Sequence, residues 1–390
     1  MTILVDRGPP GPLQHVYVHV PFCTDRCTYC AFATLPDAPA RHEALVVAIE
    51  REASRAEPPA PLRSVYLGGG TPGLLAPQHL ARLVRAAVGD AGLDRDAEVT
   101  LEVNPADVSD AALAAWHALG VTRLSVGVQT LRDDVLARLG RHHDGSGARA
   151  ALDRIATRWP GTWSLDLLVG WAAQTLEDVR RDLTGVLAYA PPHVSVYGLT
   201  LEPDTPLHQL AARGVAVAID ARAAPRFDAL WSERLAAAGL ERYEVSNFAR
   251  PGHRSRHNQA YWSNQDYLGL GPSAASSRHP HRWTNEPDLL VYVQALESGH
   301  DARAHAETLT PTQRVIESLA VGLRTRDGLP LDELDRRFSP AWRDALAAPL
   351  GAATAAGFLV DPARGALRVA PGHLVRADSL AAALTCNMDV

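Results

Sequence analysis

The sequence predicts an α/β fold: an incomplete parallel (β/α)6 barrel followed by a small C-terminal α+β module of winged-helix type. Three observations carry the reading. From His15 to about Tyr197 short β-rich runs alternate with helical stretches, the pattern of β/α units around a parallel sheet. From about Leu309 the chain turns helical and charged and closes on two short β runs. Finally, Cys23, Cys27 and Cys30 stand in one short loop directly after the first β-rich run.

The predicted strands are His15–Val20, Ser64–Leu67, Glu98–Val103, Arg123–Val128, Trp163–Leu168 and His193–Tyr197. Several read as apolar on both faces or nearly so, as buried parallel strands are. Between them lie amphipathic segments, Ala40–Arg55, Ala76–Val88, Ser109–Leu119 and Leu176–Ala188. Six units rather than eight leave the barrel incomplete. Active sites of such barrels gather at the C-terminal ends of the strands. The cysteine loop follows the first strand, Gly68-Gly69-Gly70-Thr71-Pro72 follows the second, and Glu102-Val103-Asn104-Pro105 ends the third, so all three are expected at one rim. Further on, a helix over Ala221–Ala238 and a short strand over Arg242–Val245 precede a polar, aromatic, His-rich loop at His253–Trp262. Helices over Pro311–Thr325, Leu331–Phe338 and Ala341–Ala356 then lead to β runs at Phe358–Val360 and Ala366–Val369. The expected division is a tail over residues 1–14, a partial barrel over 15–215, an extension over 216–304 and a C-terminal domain over 305–390.

Composition narrows the function classes. The 390 residues are 46% hydrophobic and 21% charged, with a net charge of −6, ordinary for a soluble globular chain and opposed to a nucleic-acid footprint. No apolar run approaches the roughly 20 residues that span a bilayer, and Met1 to Pro12 has no apolar core of signal-peptide length. Four cysteines, three of them clustered, point to a reducing compartment. The expected location is the cytoplasm.

Four-iron clusters normally take four thiolates. The Cys-x3-Cys-x2-Cys loop offers three, and Cys386, in the polar C-terminal tail, is not expected to be the fourth. One iron is thereby left open to a substrate. A zinc site or free thiols are the other readings, although structural zinc wants a fourth ligand and paired Cys-x2-Cys knuckles. The glycine run permits close backbone approach and positive φ, and exposed N–H groups there would hold an anionic or zwitterionic group; a tight βα turn needs glycine as well. It is neither a dinucleotide fingerprint nor a P-loop. Glu102, at a strand end, suits a ribose hydroxyl or a cationic amino group, or is a solvated end. Gln129, Arg141 and Asp166 lie at or just beyond strands four and five, and Arg141 is either a bidentate carboxylate ligand or a helix C-terminal cation. His257, beside Tyr261, Trp262 and arginines, is either a porphyrin-iron ligand or part of a loop whose aromatics pack on the barrel. His142, His143, His279 and His281 show no metal-type arrangement.

The cysteine spacing with its flanking Tyr17-x-His19-x-Pro21-Phe22 resembles the radical S-adenosylmethionine (SAM) superfamily, in which SAM chelates the open iron and an electron from the cluster breaks a C–S bond. With Gly-Gly-Gly-Thr-Pro and His257-Asn258-x-x-Tyr261-Trp262 in order, nearly the whole chain resembles the oxygen-independent coproporphyrinogen III oxidase-like (HemN-type) group and, within it, the heme-chaperone branch. Further matching stretches are Gly120-Val-Thr-Arg-Leu-Ser-Val-Gly-Val-Gln, Leu201-Glu-Pro-Asp-Thr-Pro-Leu and Tyr243-Glu-Val-Ser-Asn-Phe-Ala-Arg-Pro-Gly. The resemblance implies a radical SAM barrel with a HemN-like C-terminal domain and a [4Fe-4S] cluster on Cys23, Cys27 and Cys30. It implies SAM contacts at Tyr17, Tyr29, Gly69, Gly70, Thr71, Glu102, Gln129, Arg141, Asp166 and Leu168, and heme contact at His257. It also implies heme and a recipient hemoprotein as partners, with an electron donor such as flavodoxin or ferredoxin.

The chain departs from the group's patterns at several places. The oxidase has a further cysteine where this chain has Phe32, and a longer N-terminal segment, so oxidase activity is not expected. The chaperones carry Asp at the place of Ala31, Gly-Leu-Pro-Gly-Gln-Thr where this chain reads Gly170-Trp-Ala-Ala-Gln-Thr, and a histidine at the place of Ala275. A remodelled pocket suits the runner-up: a class C radical SAM methyltransferase or cyclopropanase, which binds a second SAM and acts on a natural-product substrate. A scaffold without chemistry is least supported, because all three cysteines are present.

Overall fold

Side-chain alternation along the strands decides the architecture of the computed structural model, which describes residue 6 and residues 11–56, 60–219, 221–360 and 365–388. Most of the expected tail over residues 1–14 lies outside the described residues. Strand β1 (His15–Val20) enters first, and the two-residue strands β2 (Phe22–Cys23) and β3 (Leu35–Pro36) pair to clamp the base of the cysteine loop. Strands β4 (Leu62–Gly69), β5 (Leu93–Val103), β6 (Arg123–Gln129), β7 (Thr162–Val169) and β8 (His193–Gly198) follow β1 in parallel register. These are the six predicted strands.

On one face of each strand sit Val16, Val18 and Val20, then Val65 and Leu67, Val99 and Leu101, Leu124 and Val126, Leu165 and Leu167, and Val194 and Val196, all buried. Each such side chain contributes roughly 1.5–3 kcal/mol by leaving water. The helices packed on this face are α1 (Pro39–Arg55), α2 (Pro77–Val88), α3 (Asp110–Ala118), α5 (Gly145–Arg158) and α6 (Leu176–Leu187), with the short α4 (Asp133–Leu139) between the third and fifth. The opposite face is polar: His15, Tyr17 and His19; Ser64 and Tyr66; Glu98 and Glu102; Arg123 and Ser125; Ser164 and Asp166; His193 and Ser195. The expectation that the strands are apolar on both faces is therefore corrected. Their period-two alternation builds a polar lumen, not a dry one.

Three further strands extend the sheet to nine, in the order β11-β1-β4-β5-β6-β7-β8-β10-β9. After α7 (Pro206–Ala212) and α8 (Ala224–Ala237) come β9 (Glu241–Arg242) and β10 (Asn247–Ala249), an antiparallel pair at one edge. The predicted strand Arg242–Val245 thus gives way to a turn over most of its length. At the other edge β11 (Leu268–Leu270) pairs in parallel with β1.

The His-rich segment read as a loop contains a helix, α9 (Arg256–Trp262). Ser255 caps it, its Oγ accepting from Asn258 N. The buried carboxylate of Glu98 accepts from Ser255 Oγ (3.3 Å) and from the backbone N–H groups of Arg256 and His257 (3.1 Å each), which brings α9 across the N-terminal end of the barrel. Strands β12 (Ala275–Arg278), β13 (His281–Asn285) and β14 (Arg303–Thr308) form a small antiparallel sheet interrupted by α10 (Leu289–Glu297), which packs on α1.

A second core follows. Helix α11 (Pro311–Gly322), β15 (Leu329–Pro330), α12 (Leu331–Arg337), α13 (Ala341–Ala355) and the hairpin β16 (Leu359–Val360)–β17 (Ala366–Val369) enclose Val315, Leu319, Phe338, Trp342 and Leu346, and α14 (Ala377–Thr385) covers them. Helix, strand, two helices and hairpin is the winged-helix order. Helix α9 joins the two cores: the Trp262 ring lies 5.4 Å from the Arg324 guanidinium, and Asn264 Nδ2 donates to Ser318 Oγ at 3.1 Å.

Glu98→Ala uncaps α9 and removes the carboxylate 3.9 Å from buried Arg123. Breaking such a buried pair typically costs about 3–5 kcal/mol. Urea unfolding is expected to show a loss of that size, and a loss below about 1 kcal/mol would mean that the barrel floor does not depend on Glu98.

Candidate functional site

The first β-strand delivers the cysteine loop to the C-terminal mouth of the barrel. Leu35 N donates to Pro21 O and Asp37 N to Cys23 O, both at 2.7 Å, which closes the loop at its base. Its middle is tied down where Thr28 N donates to Leu139 O (3.0 Å) and Leu207 N to Thr28 O (2.9 Å). Cys23, Cys27 and Cys30 are unoxidised and half-buried, while Cys386 is exposed on the second domain. Cys23 Sγ lies 3.7 Å from Thr71 Oγ1, and Arg141 Nη1 lies 3.5 Å from Cys27 Sγ.

Burial pushes the Cys23 thiol up to about 11 and raises Cys30 too, so a metal must displace protons to bind here. Among the described residues no three His, Cys, Asp or Glu side chains converge on a single ion position. Three thiols in one loop beside a guanidinium suit three corners of an iron–sulfur cube, whereas structural zinc wants a fourth ligand.

The glycine run passes directly beneath this loop. Gly69 has φ +108, and a Cβ on it would fall 2.5 Å from His19 Cε1; on Gly70 it would fall 2.5 Å from Phe22 O. Glycine is required here by close approach. The expected free N–H groups are not present: Gly69 N donates to Glu102 Oε2 (3.0 Å), Gly70 N to Val20 O (2.8 Å) and Thr71 N to Phe22 O (2.7 Å). The run shapes the rim and holds no anion with its amides.

Glu102 is not a solvated strand end. It accepts from Tyr66 Oη at 2.6 Å as well as from Gly69 N. Burial raises its carboxyl to about 7, the Tyr66 bond opposes this, and the nearby Asp166 charge adds to the rise. Burial likewise raises Asp166 to about 6, against hydrogen bonds from Ser195 and Ser125, and its Oδ1 has no partner among the described residues. Arg141 follows the left-handed Gly140 that ends α4, and its Nη2 donates to Asn104 Oδ1 (2.5 Å) and Gly127 O (2.6 Å). It is a rim group and not a helix-terminal cation. Gln129, at φ +67, ends β6 where the register with β7 shifts.

A cavity of about 620 Å3 opens beside the three cysteines and runs down the lumen. Tyr29, Gly69, Gly70, Thr71, Glu102, Gln129, Arg141, Asp166 and Leu168 all line it. Tyr17 and His257 do not. The Tyr17 hydroxyl is bonded to His19 Nδ1 (3.0 Å), and its ring packs on Tyr66. The proposed heme ligand needs correction. His257 is 1% exposed at the barrel floor, its Nδ1 bonded to Ser64 Oγ and its Nε2 to Tyr261 Oη, each at 2.8 Å. Burial lowers it to about 3, so it is a neutral structural imidazole with no nitrogen free for iron.

Sequence reasoning missed Tyr66, Asn104, His19 and the lumen residues Arg123, Ser125, Ser195 and Tyr197. The signal for most of them is the alternation itself, as in His15-Val-Tyr-Val-His-Val.

Three thiols over a glycine turn, at the mouth of a partial parallel barrel with a carboxylate facing them, define a radical SAM site, and residues 17–184 match the Radical SAM superfamily model. Residues 309–368 match the HemN C-terminal domain. The chain is 37% identical over 330 residues to the heme chaperone HemW of Synechocystis sp., covering 82% of this chain and 79% of that one. It is 37% identical over 337 residues to the bovine mitochondrial radical S-adenosyl methionine domain-containing protein 1, covering 84% and 73%. Its fold is similar to that of coproporphyrinogen III oxidase (HemN) from Escherichia coli, with TM-score 0.81 and 21% identity over 96% of this chain and 90% of that one. The chain therefore belongs to the HemW/HemN-type family of radical SAM proteins, and this membership implies a [4Fe-4S] cluster and SAM.

Cys27→Ala is expected to abolish the brown charge-transfer absorbance of the reconstituted protein while circular dichroism stays unchanged; an unaltered absorbance would remove Cys27 from the cluster. A pH dependence also follows. In the ligand-free protein Glu102 and Asp166 keep protons to about pH 7 and 6, whereas their ordinary values are 4.5 and 3.8. Between those limits the folded chain binds more protons than the unfolded one, so stability falls as pH rises through the window. Glu102→Gln is expected to flatten that fall, and an unchanged slope of Tm against pH would contradict it.

Proposed function

We propose that the chain is a cytoplasmic heme chaperone of the HemW type, which binds heme and passes it to a hemoprotein such as a respiratory enzyme. The observation that carries this is identity of 36–37% over four-fifths of the chain to curated heme chaperones from Synechocystis sp. and Mycobacterium tuberculosis. Phe32, where the oxidase has a further cysteine, supports the same reading. Among the described residues no helix is long and apolar enough to cross a membrane.

In this reading Cys23, Cys27 and Cys30 would hold the cluster, and the rim from the cysteine loop to Glu102 would hold SAM. When bound, the cluster supplies an electron, received from a donor such as flavodoxin or ferredoxin, that breaks a C–S bond of SAM. Arg141, fixed by Asn104 and Gly127, offsets the negative charge of the thiolates. Glu102, anchored by Tyr66 and Gly69, accepts the ligand's ammonium or ribose hydroxyl groups. Tyr29, Thr71, Gln129, Asp166 and Leu168 complete the wall. Tyr17 acts from behind it, through His19.

Heme is held at the mouth and not at His257. Phe32 is 65% exposed beside Cys30, and Arg26 lines the same opening next to the His142–Asp25 pair, so an apolar ring and a guanidinium meet a planar ligand with carboxylates there. The two-SAM methyltransferase or cyclopropanase remains a second reading, favoured by the cavity's continuation below Glu102.

Anaerobic heme titration of the cluster-loaded protein, followed at the Soret band, tests the proposal. Saturable binding near one heme per chain is expected, weakened by Phe32→Ser. His257→Ala is expected to keep the stoichiometry and lower Tm. Absence of saturable binding would remove the chaperone reading and favour the methyltransferase.

A further inference from the structure

The lumen continues past Glu102 and Asp166 to a floor lined by Arg123, Ser164, His193, Ser195 and Asn258. Arg123 is 2% exposed and makes one hydrogen bond among the described residues, from Nη1 to His253 O at 3.0 Å. Its nearest carboxylate, Glu98, is 3.9 Å away and spends both oxygens on Ser255 and the N-terminus of α9. One of the guanidinium's five donors has a close acceptor among the described residues, and the side chain lines the lumen.

His193 is 1% exposed. Its Nε2 lies 2.9 Å from Tyr243 Oη, which itself accepts from Ser255 N at 3.3 Å. With the tyrosine hydroxyl donating to Nε2, Nδ1 is the N–H of a neutral ring, and that nitrogen has no partner among the described residues. Asn258 presents an amide to the same space, and among the described residues it is bonded through its backbone N–H, to Ser255 Oγ. The floor thus sets a charged donor and an imidazole N–H among neutral hydroxyls and an amide, with no carboxylate hydrogen-bonded to either among the described residues.

We propose that the floor of the lumen binds the carboxylate of a small organic molecule, held by the Arg123 guanidinium and His193 Nδ1. A planar carboxylate matches the guanidinium fork. Phosphate, with more charge, would meet the Asp166 carboxyl above it. The enclosed position excludes a macromolecule, and the site lies at the opposite end of the lumen from the cysteines.

The test is a ligand-observed NMR titration of the cluster-loaded protein at saturating SAM, with propionate as probe and propionamide and inorganic phosphate alongside. Saturable propionate binding is expected, with the amide and phosphate at least about tenfold weaker. Arg123→Gln is expected to weaken propionate by a similar factor, whereas Arg181→Gln, on the exposed face of α6, is not. Should Arg123→Gln fail to fold, the isosteric Asn258→Asp decides, because it sets a competing carboxylate beside Arg123 and is expected to abolish binding. Equal affinity for propionamide or phosphate would overturn the proposal, as would unchanged affinity in Asn258→Asp. So would loss of propionate binding whenever SAM is bound, which would make the floor part of a SAM site, or no binding at all.

Discussion

Burying His15, Glu98, Arg123, Asp166 and His193 inside one barrel is unfavourable by several kcal/mol for each group left without a partner, and the lumen is organised around meeting that demand. Its lower end is closed by a short helix whose backbone amides neutralise Glu98 and whose His257 completes a chain running from Gln265 through His15 and Ser64 to Tyr261. The floor is one hydrogen-bonded network, and Tyr66, Glu102 and Gly69 form another at the rim. Where these networks leave atoms unpaired among the described residues, at Asp166 Oδ1, His193 Nδ1 and Arg141 Nε, a ligand has something to complete.

The rim follows from a different constraint. A loop that offers three thiols to a cluster must lie close to the next strand's turn, and only glycine at positions 69 and 70 lets the chain pass under Phe22 and His19. The same approach consumes the amides of Gly69, Gly70 and Thr71, so charge at the rim is managed by side chains. Arg141 stands beside the thiols, and two carboxyls that burial raises to about 7 and about 6 face them from below. A cluster with negative ligands and a zwitterionic substrate suit that distribution.

The six strands and the clustering of the cysteine loop, glycine run and Glu102 at one rim were legible in the sequence, because β/α alternation and strand order dictate both. The polar lumen was legible too, yet the strands read as apolar when judged by their valines and leucines; Val16, Val18 and Val20 drew the eye from His15, Tyr17 and His19. The role of His257 was not legible. Its partners Ser64 and Tyr261 lie 193 and 4 residues away, and only the folded chain shows that they occupy both ring nitrogens. The helix α9 was hidden for a related reason, since its N-terminus is stabilised by Glu98, 157 residues from Ser255. The group that satisfies Arg123 is likewise invisible in any local pattern.

The central claim is that the cysteine loop carries an iron–sulfur cluster with one iron open to SAM. Electron paramagnetic resonance of the anaerobically reconstituted, dithionite-reduced protein, recorded with and without SAM, tests it directly. The account requires the signal of a reduced [4Fe-4S] cluster whose g-values shift when SAM is added. A reduced cluster indifferent to saturating SAM, or a loop that takes up one zinc per chain and no iron, would contradict it.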